Sequence, residues 1–209
     1  MVERESILFC ISGPTASGKS TVCRYLKDKF PDLNFSVSTT TRSPRPGEVD
    51  GREYYFVSKE EFQQKIDKGD FVEHAEFSGN FYGTDLKNLE GAKSSGKDLL
   101  LEIEVQGVSQ LKEKMAEGVV TIFLFPVSFA ELEKRLRDRN TESEEQIQTR
   151  LDTARKEVEL LSKGSFSDYL VINDDLDKAC QEVAAIITAE TRKLSRYGKG
   201  YLSHLLTQS

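Results

Sequence analysis

The feature that most constrains this chain is an apolar run, Ile7-Leu8-Phe9-Cys10-Ile11, leading directly into Gly13-Pro14-Thr15-Ala16-Ser17-Gly18-Lys19-Ser20. The run reads as a buried strand. The stretch from Thr21 to Lys29 reads as a helix stopped before Pro31. Strand, glycine-rich loop and helix in that order open a βαβ unit. The loop matches G-x-x-x-x-G-K-[ST] at every specified position. In such a loop, successive backbone N–H groups curl around phosphates while the following helix turns its positive N-terminus toward them. Gly13 to Thr21 then form a nucleoside triphosphate site, with Lys19 bridging β- and γ-phosphates and Ser20 offering its hydroxyl to Mg²⁺. The pattern specifies a donor site and leaves the acceptor open.

Three further apolar runs read as central strands: Leu99 to Val105, Val119 to Phe125, and Tyr169 to Asn173. Helical segments lie between and after them, so the expected fold is α/β: a mostly parallel sheet covered by helices on both faces, a three-layer phosphate-loop core. Ser58 with Glu61, Ser128 with Glu131, and Ser143 with Gln146 have capping-box spacing. From Phe35 to about Gly83 the texture changes to Thr, Arg, Tyr and short alternations such as Glu53-Tyr54-Tyr55-Phe56-Val57, predicting a small β-rich insertion. Glu131 to about Leu161 is highly charged and reads as helical. Its apolar positions Leu132, Leu136, Ile147 and Leu151 are sparse, which predicts light packing and a segment free to move. The expected division is a core of 1–34, 85–127 and 162–209, an insertion at 35–84, and a lid at 128–161.

The net charge of −6 excludes nucleic acid as the main partner, since no excess basic charge is available for a phosphate backbone. No run reaches the roughly 20 apolar residues of a membrane span. Cys10, Cys23 and Cys180 are odd in number and lack metal-ligand spacing, so they read as reduced thiols of a cytoplasmic protein.

The acceptor side is suggested by Thr40-Thr41-Arg42-Ser43-Pro44-Arg45-Pro46-Gly47-Glu48, continuing through Gly51 to Val57. Arg42 and Arg45 lie three apart on a segment stiffened by two prolines. Paired guanidinium forks suit a phosphate dianion, and Tyr54 and Tyr82 add hydroxyl donors. Taken alone, two solvated surface arginines are the plainer reading.

The segment Thr40 to Val57 resembles the signature of guanylate kinases, and it stands at the expected place after the phosphate loop. Phe77 to Gly83 and Val171 to Asp177 are similar to two further motifs of that family, so the resemblance covers roughly Ile7 to Ile187. It implies that Arg42, Arg45, Tyr54 and Tyr82 hold the GMP phosphate. Ser38 and Thr84 would donate to guanine O6, while Glu73 and Glu104 accept from N1–H and the 2-amino group. The polarity is sensible: guanine's edge is acceptor–donor–donor, and adenine would leave a buried carboxylate unpaired. Glu102 matches the acidic position at the end of the central strand, near phosphates and metal. Glu104 departs from the family, which usually has Asp there. Arg135, Arg139 and Arg150 match the lid arginines, Asn140 stands where the family usually has Gly, and Asn173 matches a position near adenine. Arg137, Glu142 and Glu144 read as a solvated face, and His74 and His204 as residues without a role.

The reaction implied is in-line transfer of the ATP γ-phosphoryl group to GMP, and to dGMP, giving the diphosphate. Lys19, Arg42, Arg135, Arg139 and Arg150 would position phosphates and stabilise spreading charge, with Mg²⁺ bridging the donor phosphates. Lid closure would exclude water. The assembly expected is a monomer or homodimer. Two rivals exist. A non-catalytic interaction domain of this family would lose the phosphate loop or lid arginines, and a kinase of another phosphorylated small molecule need not keep Ser38, Glu73 and Thr84.

Overall fold

The computed structural model describes residues 5–77, 79–115, 117–140, 142–164 and 166–197. Ser78, His204 and the tail beyond Tyr197 lie outside them. In chain order the elements are β1 (Leu8–Ser12), α1 (Lys19–Lys29), β2 (Asn34–Phe35), β3 (Ser38–Thr40), β4 (Tyr54–Phe56) and α2 (Lys59–Lys68). Then come β5 (Phe71–Phe77), β6 (Asn80–Asp85), α3 (Leu86–Ser95), β7 (Leu99–Glu102), α4 (Val105–Lys114) and β8 (Val119–Pro126). The chain continues with α5 (Phe129–Asp138) and α6 (Glu144–Ser162), followed by β9 (Tyr169–Asn173) and α7 (Leu176–Arg192).

Five strands form the core sheet in the order β2-β7-β1-β8-β9, and every pairing is parallel. Period-two alternation sorts the apolar strand residues onto two faces. Phe9 and Ile11 pack with Val22 and Leu26 of α1 and Val183 and Ile187 of α7. Leu8 and Cys10 face the opposite layer with Val108 and Leu111 of α4 and Leu132 of α5. Each fully buried Leu, Ile or Phe contributes about 1.5–3 kcal/mol by leaving water.

A second sheet has the order β4-β3-β6-β5, with β3–β4 parallel and the other pairs antiparallel. Phe62 of α2 stacks on Phe71 and Phe81 at ring separations of 4.5 and 5.6 Å. Beneath it the buried Asp85 accepts the Thr39 hydroxyl at 2.5 Å and the Lys65 ammonium.

Two local expectations change. The apolar run from Leu99 to Val105 is not one strand: β7 ends at Glu102, and Val105 begins α4. Ile103 donates one more ladder bond to Ile11, after which Val105, Val108 and Leu111 are buried at helical spacing. As the two capping serines, Ser128 and Ser143, require, α5 and α6 are separate helices, and the chain bends between them where Asn140 takes φ +50°. A left-handed turn needs Gly or a residue such as Asn that tolerates it. Finally, the lid does not pack lightly in this arrangement, because Leu132, Leu136, Ile147 and Leu151 are all buried and join the core cluster with Ala154. Of the three caps, Ser58/Glu61 and Ser143/Gln146 are reciprocal. Ser128 accepts from the Glu131 N–H, but Glu131's carboxylate turns to Arg135.

Candidate active site

The loop between β1 and α1 bends where the sequence permits it. Gly13 has φ +140°, and a Cβ there would crowd the Leu124 backbone of β8, its carbonyl carbon only 3.1 Å away. Gly18, at φ +104°, begins α1, so the helix starts at Lys19 rather than Thr21. Ala16 also takes a positive φ of 69°. Lys19 is buried and donates to the carbonyls of Gly13 and Pro14 at 2.6 and 3.1 Å. Ser20 donates to Glu102 Oε1 at 3.0 Å, joining the first turn of α1 to the end of β7. The Asn173 side chain is buried under the loop and donates to the Ser17 carbonyl at 2.8 Å. The family resemblance gives Asn173 a place near adenine; in the fold it also braces the loop backbone.

Helix α6 reaches this loop directly, and α5 reaches Asn173 beneath it. Arg150 of α6 donates to the Thr15 hydroxyl at 2.7 Å and pairs with Glu142 at 2.6 Å. Arg135 of α5 bonds Glu131 at 2.8 Å and the Asn173 carbonyl at 2.9 Å. Arg139 follows α5 as its C-terminal cap. Burial depresses its guanidinium pKa; Glu142 opposes that, and the positive charges of Arg150 and Arg45 add to it. Arg137 is exposed, held by Glu133 and Glu144, as a solvated face requires.

On the second sheet, Arg42 lies over the rings of Tyr54 and Phe56 at 5.4 and 5.8 Å. Its guanidinium bonds the Ser43 carbonyl at 2.7 Å and Glu48 at 2.9 Å, while the Arg45 backbone N–H takes the other Glu48 oxygen at 2.7 Å. Burial works to raise the Glu48 carboxyl, but the bonds from Arg42 and Arg45 bring it below its usual range. Glu48 thus ties the two arginines' segment together. Tyr54 meets Tyr82 edge-on at 6.0 Å. Burial raises the Tyr54 hydroxyl, and the negative charge of Glu102 raises it further. Ser38, at the head of β3, is half-buried.

Glu73 of β5 is 4% exposed and accepts the Thr84 hydroxyl of β6 at 2.6 Å. Burial lifts its carboxyl to about 7 against that hydrogen bond, and Glu104 adds negative charge. Glu104 opens α4, and burial raises its carboxyl as well, with Lys19 opposing. Direct contacts thus link Ser20 to Glu102, Arg150 to Thr15, Arg135 to Asn173 and Glu73 to Thr84, and Glu73 feels the charge of Glu104.

Three further carboxylates, Glu48, Glu142 and Glu157, take ion-paired or buried positions that the sequence reading does not assign. Glu48 is legible in principle, because Arg42 and Glu48 stand in one Pro- and Gly-bounded turn segment. Glu142 reads as solvated in the sequence, but its side chain is only 12% exposed and holds Arg150. Glu157 of α6 is buried, and its Oε2 has no hydrogen-bond partner among the described residues. Burial raises its carboxyl to about 7, helped by Glu104 and opposed by Lys19. Glu157 continues the buried stripe Ile147, Leu151 and Ala154 at helical spacing, so position places it inward although its charge reads as solvated.

The chain is similar to known proteins along most of its length. The family model for guanylate kinase matches residues 5–190. A guanylate kinase of Syntrophotalea carbinolica is 47% identical over 195 residues, 93% of this chain and 91% of that protein. One of Geobacter metallireducens is 44% identical over 189 residues, 90% and 91% of the two chains. Among solved structures, the guanylate kinase of Anaplasma phagocytophilum aligns with a TM-score of 0.80 at 34% identity, over 100% of this chain and 97% of that one.

Proposed function

The chain belongs to the guanylate kinase family, and from that premise we propose how its residues carry out ATP-dependent phosphorylation of GMP to GDP. The observation that carries the proposal is the convergence at the phosphate loop. Arg150 bonds Thr15 of the loop, while Arg139 lies within electrostatic reach of both Arg150 and Arg45. These links between the loop, α5–α6 and Arg45 support a reading in which donor and acceptor phosphates share one site.

In the proposed complex, residues Gly13 to Thr21 cradle the ATP phosphates, and phosphate oxygens replace the Gly13 and Pro14 carbonyls as partners of Lys19. Residues 35–84 hold GMP: Arg42, Arg45, Tyr54 and Tyr82 bind its phosphate. Ser38 and Thr84 donate to guanine O6, while Glu73 and Glu104 accept from the nitrogens. The acceptor oxygen is already anionic, so no general base is required. Arg42, Arg135, Arg139, Arg150 and Lys19 align the phosphates and meet charge that spreads in the transition state. The lid, residues 128–161, closes over them and excludes water. Asn173 braces the loop from the adenine side.

Ser20 and Glu102 present hydroxyl and carboxylate oxygens 3.0 Å apart, a set that suits Mg²⁺ retaining most of its waters. Ser20 would hold the ion with phosphates and waters, and Glu102 would accept from one of those waters. When bound, the ion neutralises charge on the donor phosphates.

The test is ADP release across GMP, dGMP, IMP, AMP, UMP and dTMP. GMP and dGMP are expected to be used well, IMP poorly, and the others hardly at all. Comparable turnover of AMP and GMP would refute base reading by the carboxylates.

A further inference from the structure

Glu73 lies on β5, the outer strand of the second sheet. Its free edge meets helix α4 of the core, where residues three and four apart share one face. Gln110 donates through Nε2 to the His74 carbonyl at 2.8 Å and accepts the His74 N–H through Oε1 at 3.2 Å. One side-chain amide thus supplies both bonds that another strand would have supplied. Lys114, one turn on, donates to the Val72 carbonyl at 2.6 Å. Val72 and His74 flank Glu73, so both of its backbone neighbours are gripped from the same helix. One turn before Gln110 stands Gly107. A Cβ there would collide with the Glu73 carboxylate, standing 2.9 Å from Cδ and 3.3 Å from Cγ.

Gly107 lies within α4 and has no left-handed backbone to demand glycine. A glycine inside a helix costs about 0.5–1 kcal/mol relative to alanine, so a packing reason is required. The reason visible is Glu73, whose carboxylate occupies the space a methyl group would take.

We infer that Gly107, Gln110 and Lys114 form a positioning stripe that determines base specificity, because it fixes how deeply Glu73 sits against α4 and hence where its carboxylate meets the guanine edge. The inference rests on the reading of Glu73 as a base reader. Gly107 supplies the clearance, while Gln110 and Lys114 hold the strand against the helix. None of the three touches substrate.

The experiment compares Gly107→Ala, Gln110→Ala, Glu73→Ala and the Gly107→Ala/Glu73→Ala double variant by steady-state kinetics with GMP, IMP and ATP. Gly91→Ala serves as control, since a Cβ at that α3 position meets nothing within 4 Å. Gly107→Ala is expected to raise the KM for GMP ~10- to 100-fold, the scale of an ångström-sized misplacement. The KM for ATP should stay within about twofold, and the preference for GMP over IMP should narrow if the Glu73 carboxylate accepts from the 2-amino group as well as from N1–H, because IMP has no 2-amino contact to lose. In the Glu73→Ala background the added methyl group meets no carboxylate, so Gly107→Ala should then have little effect. Gln110→Ala should narrow the same preference more mildly; it leaves the helix packing intact and so serves if Gly107→Ala fails to fold. If Glu73→Ala impairs GMP use while Gly107→Ala and Gln110→Ala leave both KM and preference unchanged, the stripe is refuted and the reader stands. Equal losses for GMP and ATP, or an undiminished Gly107→Ala effect without Glu73, would reduce the stripe to ordinary packing and overturn the inference. If Glu73→Ala leaves GMP use intact, the reader itself falls and takes the inference with it.

Discussion

Glu73→Gln removes a titratable group from a site that is 4% exposed, and its effect on stability should depend on pH in a direction fixed by burial. The carboxyl moves from 4.5 in the unfolded chain to about 7 in the fold. Because the folded value is raised, the group's contribution to stability is fully present below about pH 4.5 and is lost as pH rises through 7. A tenfold change in proton affinity is worth about 1.4 kcal/mol, and roughly 1.5 such decades are lost between about pH 5.5 and about pH 8.5, giving about 2 kcal/mol. Glutamine does not titrate, so its stability relative to wild type should improve by that amount across the window, whatever constant offset the amide brings. Urea unfolding of the ligand-free protein at the two pH values measures it, with m unchanged as the check on two-state behaviour. In the same variant kcat/KM for GMP should fall by about 2 kcal/mol, roughly 30-fold, because an amide presents a donor where guanine requires an acceptor. A stability difference that is flat with pH would refute the buried, raised carboxyl. Unimpaired GMP use would refute its role as reader.

Three other outcomes are expected. Lys19→Met should nearly abolish phosphoryl transfer while GMP binding stays within a few-fold, since the charge Lys19 meets peaks in the transition state; single-turnover assay and GMP titration separate the two. Arg42→Ala should weaken GMP binding by about 1.5–3 kcal/mol and leave ATP binding nearly unchanged, by calorimetry, because the lost charge-assisted bond belongs to the acceptor. Asn140→Gly should leave the melting temperature close to wild type, whereas Asn140→Val should lower it by several degrees, since a β-branched residue at φ +50° is strained by about 1–2 kcal/mol.

The core is legible where one stretch of sequence carries both a strand period and its chemical reason. Ile7 to Lys29 specify strand, loop and helix, and the parallel sheet follows from the apolar runs behind them. Legibility fails where one residue pattern serves two elements. Leu99 to Val105 keeps a strand-like pattern, with Glu102 and Glu104 alternating with Ile103 and Val105, yet the chain leaves the sheet after Glu102 and its last apolar residue packs from a helix. In the lid, counting apolar residues suggests a loose segment. Burial depends instead on where they fall, and Leu132/Leu136 and Ile147/Leu151 are i,i+4 pairs that each present one stripe to the core. Of the candidate site, only the phosphate loop is evident from spacing; Arg42 and Arg45 alone read as solvated, and they enter with Glu73, Glu104 and the arginines of α5 and α6 through the family resemblance. Glu142 and Glu157 stay hidden because a glutamate in a charged helical segment looks solvated until a partner or a packed neighbour is known.

The most direct test of the central claim follows the phosphoryl group itself. With γ-labelled ATP and GMP, labelled GDP should accumulate one for one with ADP, and AMP in place of GMP should yield almost no labelled diphosphate. Release of labelled inorganic phosphate in place of GDP, or equal labelling of GMP and AMP, would contradict the account.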